Sequence, residues 1–120
     1  MQHIGVDIVE IARVKKAIDR WGHNFLKRIY TESELELFKK NPSSLAARFS
    51  GKEAVIKTLN AGGISLREIE ILSDISGKPR IKLYGKAQLK AKDSGLTNIN
   101  ISLSHCRDYA IACAIVETKS

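Results

Sequence analysis

Cysteine is scarce in this 120-residue chain: Cys106 and Cys113 are the only two. They are too few and too close together for the disulfide framework of a small secreted domain. Both fall in an apolar C-terminal stretch, where a reduced thiol behaves as a small hydrophobe, so a reducing cytoplasm is the expected setting. The three histidines, His3, His23 and His105, are scattered, without the close Cys or His pairs of a structural zinc site. Aromatic residues make up only 6% of the chain, too few for the stacking platforms of RNA-binding sheets. No stretch approaches the roughly 18 apolar residues that would span a membrane. The N-terminus runs directly into Ile4, Val6 and Ile8 without a signal-peptide layout, so a soluble, unprocessed protein is expected. Gly62 and Gly63 follow a helical pattern instead of opening one, which excludes the commonest nucleotide loops.

What is present is one modest core's worth of apolar sequence and a surplus of positive charge. Hydrophobic residues are 43% and charged residues 28%, at a length that predicts a single domain over residues 1–120. Twenty Lys and Arg against thirteen Asp and Glu give a net charge of +7. Such a balance favours acidic or phosphorylated partners and says nothing about fold.

Ile4, Val6 and Ile8 alternate with Gly5, Asp7 and Val9, a strand pattern that puts Asp7 on the face opposite the three aliphatic residues. From Glu10 to about Phe25 the period becomes helical: Val14, Ala17, Ile18, Trp21 and Phe25 share one stripe, and Arg13, Lys16, Arg20 and Lys27 the next. Gly22 is a candidate bend or stop within it. Thr31 and Glu34 form the capping-box pattern of a short helix that Asn41 and Pro42 close. Ser43 or Ser44 is the expected cap of a third helix to about Leu59, ended by Gly62 and Gly63, and Lys52 falls inside its apolar stripe. Ile69 and Ile71, then Ile81 and Leu83, read as a hairpin around a turn from Asp74 to Pro79. Lys86 to Ser94 is helical and stopped by Gly95, and a second hairpin follows whose last strand, Tyr109 to Val116, is apolar enough to be buried. The order β-α-α-α-β-β-α-β-β is an α+β layout.

Chemistry concentrates in a few places. Asp is depleted in strands, so Asp7 must be hydrated, hydrogen-bonded or coordinated to a cation. With Glu53 it offers the one or two carboxylates that magnesium takes when substrate phosphates and water complete its octahedron. The simpler alternatives are a carboxylate accepting backbone hydrogen bonds at Asp7 and a solvated i, i+4 ion pair between Glu53 and Lys57. Lys52 either extends its stem outward or meets an anion at a cleft. His105, near a strand end, is a candidate hydrogen-bond donor to phosphate or a half-buried turn histidine, and its neighbour Cys106 diverges too far to form a Cys-His pair with it.

Three separated segments carry a resemblance: Ile4-Gly5-Val6-Asp7-Ile8-Val9-Glu10-Ile11 with Arg13, Arg48-Phe49-Ser50-Gly51-Lys52-Glu53-Ala54 with Lys57, and Ser102-Leu103-Ser104-His105 with Tyr109-Ala110. Together they resemble the 4'-phosphopantetheinyl transferases, in particular the short bacterial holo-[acyl-carrier-protein] synthase type, from end to end of the chain. Where many relatives have Gly before the Arg and an Ala pair before the Lys, this chain has Ala47, Ser50 and Gly51. Cys106 replaces a hydroxyl or acidic residue, and the loop Asn60-Ala61-Gly62-Gly63 also differs.

The resemblance implies magnesium held by Asp7 and Glu53, with Arg48, Lys52, Lys57 and His105 lining the cleft for coenzyme A, the substrate. Asp7, Glu53 and Lys57 are then the catalytic residues. The implied reaction transfers 4'-phosphopantetheine to a serine hydroxyl of apo acyl carrier protein in fatty acid biosynthesis, releasing adenosine 3',5'-bisphosphate. Carrier proteins of this pathway are acidic, and the stripe Arg13, Lys16 and Arg20 is the expected docking face. A homotrimer with clefts between subunits is implied as well. The rival reading, a basic nucleic-acid-binding module without activity, rests on the charge and the basic helix, and the scarcity of aromatics opposes it.

Overall fold

In the computed structural model, which describes residues 1–119, helix α4 (Pro42–Leu59) is the element around which the rest is arranged. It is buried on most sides, through Leu45, Ala46, Ala47, Ser50, Gly51, Ala54, Val55 and Leu59. Its small residues let neighbours approach closely. A Cβ at Gly51 would lie 2.7 Å from Ile71 Cδ1, and one at Gly5 would run into the carbonyl oxygen of Ala54. Asn41 caps the helix by accepting from the Ser44 amide at 3.0 Å, with Pro42 in its first turn. The expected caps Ser43 and Ser44 therefore lie inside the helix, because proline's fixed φ and missing N–H suit the position after the cap. Asn60, in the left-handed region at φ 50°, ends it before Gly62 is reached.

One antiparallel sheet has the order β1-β5-β4, from β1 (Gln2–Glu10), β4 (Leu96–His105) and β5 (Tyr109–Thr118). β2 (Ile69–Ser73) and β3 (Pro79–Leu83) form the separate hairpin around the expected turn. α4 packs chiefly across β1 and β5, over the row Ala110, Ala112 and Ala114. β1 alternates as expected, but its aliphatic face is the open one: Ile4, Val6 and Ile8 are exposed, whereas Gly5, Asp7 and Val9 face α4. β5 differs from expectation in the same way. It is central in the hydrogen-bond ladder, yet Ile111 and Ile115 on its outer face remain 41% and 40% exposed.

The first helical stretch is two helices, α1 (Ile11–Trp21) and α2 (His23–Ile29), split at Gly22 with φ 58°. Val14, Ile18 and Phe25 still pack inward, while Trp21 at the break is 57% exposed. α3 (Glu32–Phe38) opens on the expected capping box of Thr31 and Glu34. A 3-10 turn, Leu66–Glu68, precedes β2, and α5 (Gly85–Asp93) precedes β4. The observed order is thus the expected α+β one with its first helix divided.

Candidate active site

β1 and α4 lie side by side in antiparallel register. Gly5 meets Ala54 and Asp7 meets Ser50, and the match follows from geometry, since two strand residues and four helical residues both advance roughly 6 to 7 Å. Val9 continues the series by packing with Ala46 and Ala47. This register carries the Asp7 carboxyl to the flank of α4, where Glu53 and Lys57 project. Ser50 Oγ donates to the Asp7 carbonyl oxygen at 2.8 Å and lies 3.1 Å from Asp7 Oδ2. Lys57 Nζ donates to the Val6 carbonyl oxygen at 2.8 Å and lies 3.4 Å from Asp7 Oδ1.

Glu53 is half-buried and takes part in none of the ion pairs among the described residues, so the simple Glu53–Lys57 pair is not formed. Its carboxyl is pushed above the usual range, first by burial and then by the negative charge of Asp7, with Lys57 offsetting part of this. A carboxyl whose ionisation is disfavoured by burial and by a neighbouring carboxylate, beside a single ammonium, marks a site short of positive charge. The donors are hard oxygens. No group of three or more His, Cys, Asp or Glu side chains suited to a metal occurs among the described residues. A two-carboxylate site fits magnesium, whose remaining positions go to phosphate and water.

Arg48 and His105 stand on the other side of α4. With Lys78, Ser102 and Pro79 among its walls, they line a cleft of about 420 Å³. Arg48 is buried at its base, its Nε donating to the Ile71 carbonyl at 3.4 Å and its Nη2 to Ser73 Oγ at 3.0 Å, with the guanidinium 3.7 Å from the Phe38 ring centroid. Burial pushes its pKa down, against the opposing pull of Glu34 and Tyr30. Five residues separate Arg48 from Glu53, a rise of about 7.5 Å and a turn of about 140°. Asp7 pairs with Ala112 and His105 with Ala110, on opposite sides of β5. Within one chain, then, the carboxylates and the cationic cleft flank α4 from different sides.

Lys52 requires a correction. Its side chain is fully buried, and its three donors go to Glu34 Oε1 at 2.7 Å, the Leu66 carbonyl at 3.1 Å and the Ile69 carbonyl at 2.5 Å. Burial lowers its pKa, while Glu34 pulls it back up. An ammonium with all protons engaged inside the protein lines no coenzyme A cleft. Glu34 has three roles, because besides pairing with Lys52 and capping α3 it accepts from the Ile71 amide at 2.8 Å.

Two residues escaped the sequence reading. Lys78 sits at the cleft mouth because the turn is tied by Asp74 Oδ1, which accepts from the Ser76 and Lys78 amides, and by Gly77 at φ 87°. The run Gly77-Lys78-Pro79 was its available signal. Ser50 is the other, and its available signal was a lone hydroxyl among alanines and glycine.

Arg13, Lys16 and Arg20 are all exposed on α1. Arg13 borders a groove of about 260 Å³ floored by Val9, Val14, Ala17, Phe25 and Phe49. Val9 is two residues beyond Asp7 on the same strand face, and Phe49 is one helical turn before Glu53. The basic stripe and its apolar groove therefore adjoin the carboxylates.

The family model of the 4'-phosphopantetheinyl transferase superfamily matches residues 3–114. Holo-[acyl-carrier-protein] synthase of Dehalococcoides mccartyi (strain CBDB1) is 50% identical over 118 residues, covering 98% of this chain and 99% of its own. Among solved structures, the Helicobacter pylori holo-[acyl-carrier-protein] synthase in complex with coenzyme A superposes with a TM-score of 0.86 at 35% identity, covering 95% of this chain and 99% of that one. The Neisseria meningitidis enzyme matches with a TM-score of 0.86 at 34% identity, covering 97% and 98%. On a match that runs through β1, α4 and β4 alike, the chain belongs to the 4'-phosphopantetheinyl transferase superfamily, as an enzyme of its holo-[acyl-carrier-protein] synthase type.

Proposed function

We propose that this enzyme carries out magnesium-dependent transfer of 4'-phosphopantetheine from coenzyme A to a serine hydroxyl of an apo acyl carrier protein. The products are holo carrier protein and adenosine 3',5'-bisphosphate, and the setting is fatty acid biosynthesis in the cytoplasm. The observation that carries the reading is the convergence of Asp7 and Glu53, from β1 and α4, on one face with Lys57. Support also comes from relatives named for this reaction and from a relative solved with coenzyme A.

Asp7 and Glu53 would hold the magnesium ion, which supplies positive charge where negative charge builds on the pyrophosphate oxygens. Lys57, its side chain 54% exposed, holds its ammonium at the rim of the same site through the Val6 carbonyl and offers a positive charge to a phosphate oxygen. Arg48, Lys78 and His105 offer phosphate contacts across α4, with Arg48 fixed in place by Phe38, Ile71 and Ser73. Their separation from Asp7 within one chain favours a homotrimer in which the cleft of one copy meets the carboxylates of the next. The exposed row Ile4, Val6, Ile8, Ile111 and Ile115 is the apolar face such an assembly would cover. An acidic carrier would be steered to Arg13, Lys16 and Arg20 and place an apolar side chain in the groove beside them.

Intact-mass analysis of an apo acyl carrier protein incubated with this enzyme, coenzyme A and magnesium tests the reading. A phosphopantetheine-sized gain that a chelator abolishes is expected. No gain under any condition would remove the transferase reading, and a gain indifferent to chelator would remove the metal.

A further inference from the structure

Hydroxyls in or at the ends of helices behave in two ways: some bond back to their own helix, and others, such as Thr31 at the cap of α3, which donates to Glu70 Oε2 at 2.6 Å, reach a different element. Thr58 Oγ1 donates to the Val55 carbonyl at 2.6 Å and Ser94 Oγ to the Lys90 carbonyl at 2.6 Å, so each bonds back to its own helix. That is the ordinary fate of a helical hydroxyl. Ser50 does otherwise. Its Oγ, in a fully buried residue, crosses from α4 to β1 and meets both the main-chain oxygen and Oδ2 of Asp7. With Lys57 near Oδ1, both oxygens of this carboxyl have a protein neighbour, and the side chain is only 19% exposed.

The geometry points to Ser50 as a positioning residue that fixes the backbone and carboxyl orientation of Asp7 before any ligand arrives. The inference rests on the reading of Asp7 and Glu53 as the metal pair. A carboxylate free to rotate must lose that freedom on coordinating an ion, whereas one already held does not. Hydrogen bonds that orient a ligand in this way are commonly worth about 10-fold or more in metal affinity. The close approach of Gly5 to Ala54, one helical turn along, holds β1 near enough to α4 for the Ser50 hydroxyl to reach.

Direct titration of the whole protein with Mn2+, by calorimetry or by electron paramagnetic resonance of the free ion, reads this without any turnover. Ser50→Ala is expected to weaken Mn2+ binding about 10-fold, to lower apparent kcat at fixed subsaturating metal, and to leave the KM for coenzyme A near its original value. Ser50→Thr, which keeps the hydroxyl, is expected to restore most of the affinity. Should Ser50→Ala fail to fold, Ser50→Cys carries the same test with nearly the same volume and a weaker donor. Wild-type affinity in Ser50→Ala, with only a lower thermal midpoint, would overturn the proposal and leave Ser50 a packing residue while the metal reading stands. No Mn2+ binding by the unmodified protein would overturn both.

Discussion

Lys52 and Lys57 lie on the same helix, each beside a carboxylate, in surroundings that differ in almost every respect. Lys52 and Glu34 are fully buried 2.7 Å apart, and both have additional hydrogen bonds to backbone groups. Lys57 is 54% exposed, lies 3.4 Å from Asp7, and shares its neighbourhood with a second carboxylate, Glu53, that no ammonium fully balances. The first cluster is complete, ties α3, α4 and β2 together, and has no capacity left for a ligand. The second is short of positive charge and accessible. A buried ionic group satisfied on every side is a structural device, whereas incomplete compensation at a surface marks a place built for something not yet there.

Breaking the complete cluster is expected to have the larger effect on stability. Removing one member of a buried pair leaves the other charge uncompensated, at a cost of about 3–5 kcal/mol. Lys52→Ala should therefore shift the urea midpoint far down or abolish folding, and Glu34→Ala should do the same. A variant of either that unfolds like the parent but has lost coenzyme A binding would invert the comparison and return Lys52 to the cleft.

Breaking the incomplete cluster should act on rate instead. Glu53→Ala is expected to lower kcat by on the order of 10²–10³-fold, the usual scale for losing an electrostatic element of a transition-state site. Its folding stability should be unchanged or slightly raised, because the repulsion from Asp7 goes with it. Loss of stability in parallel with loss of rate would show the two clusters to be of one kind. A milder change tests the surface beside the site: Arg13→Glu with Arg20→Glu should raise the carrier KM severalfold at low salt, and less at high salt, while leaving the KM for coenzyme A alone. A carrier KM that ignores both charge and salt would count against α1 as the docking face.

The comparison also explains what could be read from the chain beforehand. Local patterns were legible because they are local: the Thr31–Glu34 capping box, the two hairpins and the alternation of β1 all depend on residues close in sequence. What the alternation of β1 could not convey is which face another element covers, and here it is the Gly5, Asp7 and Val9 face. Lys52 differs from expectation for a related reason: its wheel position is apolar, but its partner Glu34 arrives from a different helix, where it also serves as a cap. Gly22 is legible as a bend or stop, and the helix does divide there, but the apolar stripe that continues through it to Phe25 gives no sign that a second helix follows. Asp7 and Glu53 stood out as chemistry-bearing residues, yet only the register of Gly5 against Ala54 and Asp7 against Ser50 brings them to one place.

Whether the Asp7–Glu53 face is a cation site is tested most directly by thermal midpoints of the wild-type protein and Glu53→Gln, each with magnesium and with chelator, across pH. The folded-state pKa of Glu53 is raised, so its contribution is favourable in acid and is lost as pH rises through that raised value. Relative to Glu53→Gln, the chelated wild-type protein should therefore lose stability toward neutral pH. Magnesium should restore it there, do little in acid where Glu53 is protonated, and do little for Glu53→Gln at any pH. Midpoints of the wild-type protein that are the same with magnesium and with chelator at neutral pH would contradict the assignment.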